Sequence, residues 1–230
     1  MKLLALGATG RTGRWVLEYA LGAGHDVVAL ARTPEKILAR SPMLSVVRGT
    51  PESDNDVMLA IRGCEAVMST LDNSRTSGLP WARPTSPPML MTRSIGNALA
   101  AMRRIGARRI VVLSALGAGD SFALAPAVVR LLIRWTNLGI GYDDHEAQEA
   151  LLRESGLDWT CVRAAILTNR QSRGSVIVSY DGRPKPALTI GRAEVARLMV
   201  EILDQPAFFG KTPVISERLI NLLPPSSVRP

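Results

Sequence analysis

A chain of 230 residues with 47% hydrophobic content is long enough to bury a large core, and one domain over 1–230 is the expectation. Its formal net charge of +8 comes mainly from arginine, since lysine occurs only at Lys2, Lys36, Lys185 and Lys211. The basic residues form no dense run and aromatics are only 4%, too few for a nucleic-acid stacking platform, so a phosphate-bearing small ligand is the expected anion.

The two cysteines, Cys64 and Cys161, sit in apolar strand-like runs with no CxxC spacing. They read as small buried apolar residues in a reducing, cytoplasmic setting, with no metal site. The opening "MKLLALGATG" has too short an apolar run for a signal peptide. The apolar stretch 126–135 carries Arg130 and Arg134 and is too short to span a bilayer, so no membrane partner is expected.

Strand-like and helix-like segments alternate along the chain. "KLLAL" (2–6) predicts a buried strand and 11–24 a helix ending in glycines. Residues 26–31 predict a strand, 34–40 a short helix, 44–49 a strand, 54–63 a helix and 65–70 a strand. A long helix over 88–106 and a fifth strand over 107–115 follow. Further on come a helix at 144–156, a strand at 157–165, a strand pair within "GSVIVSYDG" and a helix at 192–206. Such alternation of short apolar strands with helices predicts an α/β fold. Its parallel sheet is doubly wound and Rossmann-like, in three αβα layers. Two segments break the rhythm, the Pro-rich 72–88 and the stretch 116–141. Both follow carboxyl ends of strands, where ligands bind in such sheets, and each is either a lid or a plain surface excursion. The tail "PPSSVRP" is expected to fray.

The chemistry starts at "GATGRTG". It follows a strand and opens a helix, the context a dinucleotide loop requires. Gly7 permits the tight turn, Gly10 lets backbone approach a pyrophosphate, and Gly13 allows close helix–strand packing. The helix N-terminus then offers N–H groups to the phosphates, and Thr9, Arg11 and Thr12 can add donors. The second strand ends in Arg32 and Thr33, where an NAD site usually places a carboxylate for the ribose. A guanidinium there pairs with a 2′-phosphate, a charge-assisted contact of about 1.5–3 kcal/mol, so NADP(H) is the expected cofactor.

These residues resemble the atypical short-chain dehydrogenase/reductase superfamily. Within it they resemble the NAD(P)H-binding, NmrA-like group, nearest the biliverdin-IXβ reductase/flavin reductase type. Besides the glycine loop, the resemblance rests on "VVLSALGAGDS" (111–121), "DDHEAQEALLRESGLDWTCVRAA" (143–165) and "DGRPKPALTIGRAEVARLMVEIL" (181–203). It implies reduced NADP as hydride donor, with cofactor contacts at the ends of strands four to six. Those are Thr70 and Leu71, then Ser114 and Ala115, then Arg163, Ala164, Ala165 and Ile166. Thr50 falls where the family often has an Asp near the adenine, and Ile166 where biliverdin-IXβ reductases carry a histidine beside the substrate.

The Tyr-x-x-x-Lys pair of many dehydrogenases is absent. Tyr19 is followed four residues on by Ala23, Tyr142 by Glu146 and Tyr180 by Pro184. The catalytic candidates are Ser114, either a hydrogen-bond partner of the carboxamide or acceptor or a strand-end cap, and His145. The histidine is either a proton relay or a solvent-facing residue at a helix start capped by Asp143 and Asp144. Arg163 either contacts a ligand or pairs with a carboxylate.

The expected activity is an NADPH-dependent reductase passing hydride to a planar conjugated small molecule such as a flavin or quinone. Its pocket is expected from 72–88, 116–141 and 164–190, and its state is monomer or weak homodimer. A non-catalytic NADP(H)-sensing regulator and a nucleotide-sugar epimerase are the alternatives.

Overall fold

The computed structural model describes residues 1–170 and 174–219. Six parallel strands form the spine of the sheet: β1 (Lys2–Leu6), β2 (Asp26–Ala31), β3 (Leu44–Arg48), β4 (Ala66–Ser69), β5 (Arg109–Ala115) and β6 (Asp158–Ala164). They lie in the order β3-β2-β1-β4-β5-β6, and the direction of winding reverses between β1 and β4. Open sheets of this kind bind ligands outside the carboxyl ends at that reversal.

Short apolar strands can be buried on both faces because helices cover both. Along β1 the side chains alternate between two cores. Leu3 and Ala5 pack with α1 (Gly13–Gly22) and α6 (Arg192–Glu201), while Leu4 and Leu6 pack with α2 (Asp54–Ala60), α3 (Leu90–Ile105) and Leu152 of α5 (Leu138–Glu154). The result is the three-layer, doubly wound α/β fold that the alternation predicts.

The structure differs from the sequence pattern in four places. The helix expected over 34–40 is a single 3-10 turn, Pro34–Lys36. "GSVIVSYDG" does not fold on itself. Its one strand, β8 (Gly174–Ser179), pairs antiparallel with β10 (Val214–Leu219), which adds to β6 in parallel. The stretch 116–141 is mostly helical: a 3-10 turn at Gly119–Leu124, then α4 (Ala127–Trp135), then the first turn of α5. Finally, α5 starts at Leu138 rather than 144. Gly139 and Gly141 hide that turn, because glycine is a poor helix former. Packing requires the first of them, since a Cβ on Gly139 would lie 2.7 Å from the Ile133 carbonyl oxygen. Two short strands, β7 (Ile166–Thr168) and β9 (Thr189–Gly191), pair in parallel beside the main sheet. The terminal "PPSSVRP" lies outside the described residues.

Candidate active site

The loop between β1 and α1 is shaped by three glycines, two of them for plain steric reasons. Gly7 has φ +81°, and a Cβ there would lie 2.9 Å from the Thr70 carbonyl carbon of the neighbouring strand end. A Cβ on Gly13 would lie 2.1 Å from the Gly7 carbonyl oxygen, so α1 rests directly on the loop. Gly10 donates its N–H to that same oxygen at 2.9 Å. Thr12 gives α1 no side-chain cap, and the first backbone bond into the helix runs from Arg14 N–H to Gly10 O. The N–H groups of residues 11–13 therefore have no acceptor among the described residues. A helix N-terminus left open behind a cradle that side chains would fill suits a phosphate. Thr70 closes the floor, its backbone N–H donating to Leu6 O at 3.0 Å.

Arg32 and Thr33 are exposed at the end of β2. Arg32 has no carboxylate partner among the described residues, whereas nearby Arg48 pairs with Glu35. Thr50, after β3, donates its backbone N–H to Asp56 Oδ2 at 2.8 Å. Asp56 thus holds that turn, and the hydroxyl of Thr50 in turn accepts from Glu52 N–H at 3.3 Å.

Beyond the ends of β4, β5 and β6 lies a cavity of about 460 Å³, a size that suits a small organic ligand. Its walls come from 71–73 with Arg75, Gly78 and Pro84, from 113–116, from parts of 126–142, and from 164–167 and Leu188, joined by Arg11, His145 and Arg192. Of the candidates read from the sequence, Arg11, Leu71, Ser114, Ala115, His145, Ala164, Ala165 and Ile166 meet around it. Arg32, Thr33 and Thr50 do not. The wall is largely apolar, and α4 forms part of it with Val129 and Leu132. The other side of α4, Val128, Leu131 and Trp135, stands in solvent.

Under the cavity runs a buried polar network carried by α5. Glu149 is fully buried and accepts from Ser114 Oγ at 2.7 Å, Arg163 Nε at 3.0 Å, Arg163 Nη2 at 2.6 Å and Arg153 Nη2 at 2.9 Å. Asp120 pairs with the same Nη2 of Arg163. The hydroxyl proton of Ser114 is therefore committed to Glu149, and only its oxygen remains as an acceptor. The Arg163 side chain pairs with carboxylates and does not line the cavity, and the backbone N–H groups of Arg163, Ala165 and Ile166 donate to the carbonyls of Pro213, Ile215 and Leu188. Burial opposes the charge on Arg163, and Glu149 and Asp120 outweigh it, holding the guanidinium protonated.

His145 is only 6% exposed and lies in the second turn of α5, not at a solvent-facing start. Gln148 Nε2 donates both to the Leu113 carbonyl, at 3.1 Å, and to His145 Nδ1, at 3.0 Å. A carbonyl only accepts, which identifies the amide nitrogen, so Nδ1 is the acceptor and a neutral ring carries its proton on Nε2. That atom lies 4.0 Å from Asp72 Oδ1 at the cavity. Burial lowers the His145 pKa, with Asp72, Glu149 and Asp144 pulling the other way.

Asp144 caps α3 rather than its own helix. It accepts from the backbone N–H of Met91 at 3.0 Å and of Thr92 at 2.8 Å, from Thr92 Oγ1 at 2.6 Å and from Asn73 Nδ2 at 3.1 Å. Met89, the residue before α3, has φ +54° and offers no cap of its own. Asp72, Asp144, Gln148, Glu149 and Arg192 were not among the sequence candidates. The signal for three of them lies in "DHEAQE", where 144, 145, 148 and 149 share one helical face, but that face reads as solvated until α5 is known to lie against β5 and α3.

Among the described residues no cluster of three or more His, Cys, Asp or Glu could hold a metal ion. Burial pushes the Cys64 thiol up to about 11 and raises that of Cys161 as well. No described helix is long and apolar enough to cross a membrane.

Glycine cradle, open helix end and reversed winding together define a nicotinamide-nucleotide-binding Rossmann protein with an oxidoreductase-like fold. A family model described as NAD(P)H-binding matches residues 7–206, and the chain belongs to that family. It is 26% identical over 215 residues to an uncharacterised chloroplast protein of Arabidopsis thaliana, covering 89% of this chain and 72% of that protein. Among solved structures it is similar to a short-chain dehydrogenase/reductase from Veillonella parvula in complex with NADP, with TM-score 0.78, 16% identity and 94% of each chain covered. ChuY, described as an anaerobillin reductase from Escherichia coli O157:H7, gives TM-score 0.74, 19% identity and full coverage of both chains at 100%. A putative NAD-dependent epimerase/dehydratase from Bacillus halodurans gives 0.73, 22% and 95% of each chain. At these identities the structural likenesses establish the fold.

Proposed function

We propose that the protein is an NADPH-dependent reductase that passes hydride to a planar conjugated acceptor such as a flavin or quinone. The observation that carries this reading is the apolar cavity at the ends of β4 to β6, with one buried imidazole on its wall. Reduced nicotinamide, when bound, supplies the hydride. The chain's own groups do the rest. The glycine loop and the open end of α1 hold the diphosphate. Arg32, exposed and without a carboxylate partner among the described residues, selects the 2′-phosphate of NADP over the bare ribose of NAD. The walls stack the acceptor and exclude water, so proximity and orientation supply most of the rate. His145 offers a proton or hydrogen bond at Nε2, the tautomer that Gln148 imposes.

The test is nicotinamide absorbance with purified protein, NADPH and a panel of flavins and quinones. Turnover with a planar acceptor is expected. Tight NADPH binding without turnover on any acceptor would sink the reductase reading and leave a sensor, which the exposed apolar face of α4 would suit as a partner surface.

A further inference from the structure

Three arginines are buried among the described residues, Arg109, Arg163 and Arg192. The chain itself satisfies two of them. Arg109 donates to the carbonyls of Leu203 at 2.7 Å, Ile202 at 2.8 Å and Asp158 at 2.8 Å, and lies 4.5 Å over the Phe209 ring. Arg163 is held by Glu149 and Asp120. Arg192 differs from both. It is 9% exposed, lies on the cavity wall, and has one neutral partner, Asn169 Oδ1, at 2.8 Å. No carboxylate forms an ion pair with it among the described residues.

Arg11 lies on the same cavity wall, exposed and likewise without an ion pair among the described residues. The two cations feel each other. Burial first, and Arg11 second, lower the basicity of Arg192, with Asp72 partly offsetting them. The one carboxylate on the cavity wall, Asp72, forms no ion pair with either guanidinium, an arrangement that a ligand bringing a further negative charge would relieve. A helix end adds to the field. Arg192 is the first residue of α6, which has no side-chain cap, and α1 and α6 pack side by side on one face of the sheet. The buried Glu217 accepts from the Gly191 N–H at 3.3 Å at the start of α6, so the positive end left without a carboxylate beside this wall is that of α1.

We propose that Arg11 and Arg192 form a clamp for an oxyanion, a phosphoryl or carboxylate group, at the junction of the glycine loop and the cavity. The geometry of a guanidinium suits either group bidentately. This rests on the reductase reading of the cavity and adds a substrate-class constraint to it. The anion is either the diphosphate of the cofactor or an acidic substituent of the acceptor.

The test compares wild type with Arg192→Gln, Arg11→Gln and the charge-keeping Arg192→Lys. The first readout needs no turnover: calorimetric titration with inorganic pyrophosphate. Wild type is expected to bind it about tenfold or more tighter than either Gln variant, with the Lys variant between. The difference should shrink as salt rises. The second readout is the NADPH dissociation constant without acceptor. The third is KM for two quinones that differ only by a carboxylate. A rise in the NADPH constant assigns the clamp to the cofactor. An acidic-quinone KM that rises about fivefold or more beyond the neutral one, at unchanged NADPH affinity, assigns it to the acceptor. Equal pyrophosphate binding in wild type and both Gln variants, at matched melting temperature, would overturn the clamp. Failure of wild type to turn over any acceptor strikes the reductase reading instead, and the pyrophosphate titration still decides the clamp.

Discussion

The two ends of the ligand-binding edge are made of different materials. At the glycine-loop end the surface is backbone: Gly7, Gly10 and Gly13 clear space, and the N–H groups before Arg14 have no acceptor among the described residues. Seven consecutive residues, 7–13, form that surface. At the cavity end the polar surface is side chain, and the groups come from far apart. Asp72 follows β4, Ser114 is the penultimate residue of β5, His145 lies on α5 with Gln148 and Glu149 beneath the cavity, and Arg192 opens α6. The cradle keeps its shape through hard-sphere contacts, while the cavity keeps its shape through a buried ionic network whose members depend on one another. Damage to each should therefore look different.

The largest expected effect lies in the network. Glu149→Ala leaves Arg163 with the solvent-facing Asp120 as its remaining carboxylate, and a buried ion pair broken on one side costs about 3–5 kcal/mol. Urea denaturation measures it. A loss under about 1 kcal/mol would show that the cavity floor does not depend on this carboxylate. Next comes the cradle. Gly13→Ala places a methyl 2.1 Å from the Gly7 carbonyl oxygen, so the helix must shift. Overpacking of that sort costs about 1–3 kcal/mol, and NADPH affinity should fall by about tenfold or more in a fluorescence titration. Retained affinity would break the claim that the cradle works by shape.

Arg32→Asp tests charge alone at the nucleotide end. The variant should lose an NADP preference of about 10–100-fold over NAD while keeping its melting temperature, because Arg32 is exposed and makes no ion pair among the described residues. Unchanged discrimination would remove Arg32 from the site.

The smallest effect is a pH dependence. Burial holds the folded-state pKa of His145 below its usual value near 6.5, and that of exposed-side His25 is lowered too, again first by burial. The unfolded chain then takes up protons first as pH falls. Stability from these groups is complete above about pH 6.5 and declines below it, through the folded-state pKa values. Denaturation midpoints between pH 7.5 and 5.5 should fall, and less so in His145→Asn. An unchanged slope in that variant would show that His145 is not held neutral by its burial.

Legibility followed the same division. "GATGRTG" after an apolar run announces its own geometry, since a glycine cradle is built from residues in contact along the chain. The doubly wound parallel sheet followed from short apolar strands alternating with helices, whereas the strand order is read from the structure. The cavity polar groups were harder to see. Ser114 and His145 stood out by position, yet the partners that decide what each can do, Glu149 and Gln148, looked like ordinary polar residues on a solvated helix. The glycines at 139 and 141 hid the first turn of α5 and so displaced the whole face by reading His145 as a helix start. Strand β10 is hard to see in the sequence because it carries Glu217 and Arg218, and among the described residues it joins the sheet through β6 and β8.

By itself the sequence determined the doubly wound α/β fold, the phosphate cradle, and the lack of a carboxylate at the end of β2. Each is a local matter of periodicity, glycine sterics or a single charge. Only the tertiary structure decided that Asp144 caps a neighbouring helix, that Glu149 accepts the Ser114 hydrogen bond, and that Arg192 and Arg11 line one cavity. Those are contacts between residues tens of positions apart, and a buried polar group acquires its role only from whichever partner the fold brings within hydrogen-bond reach.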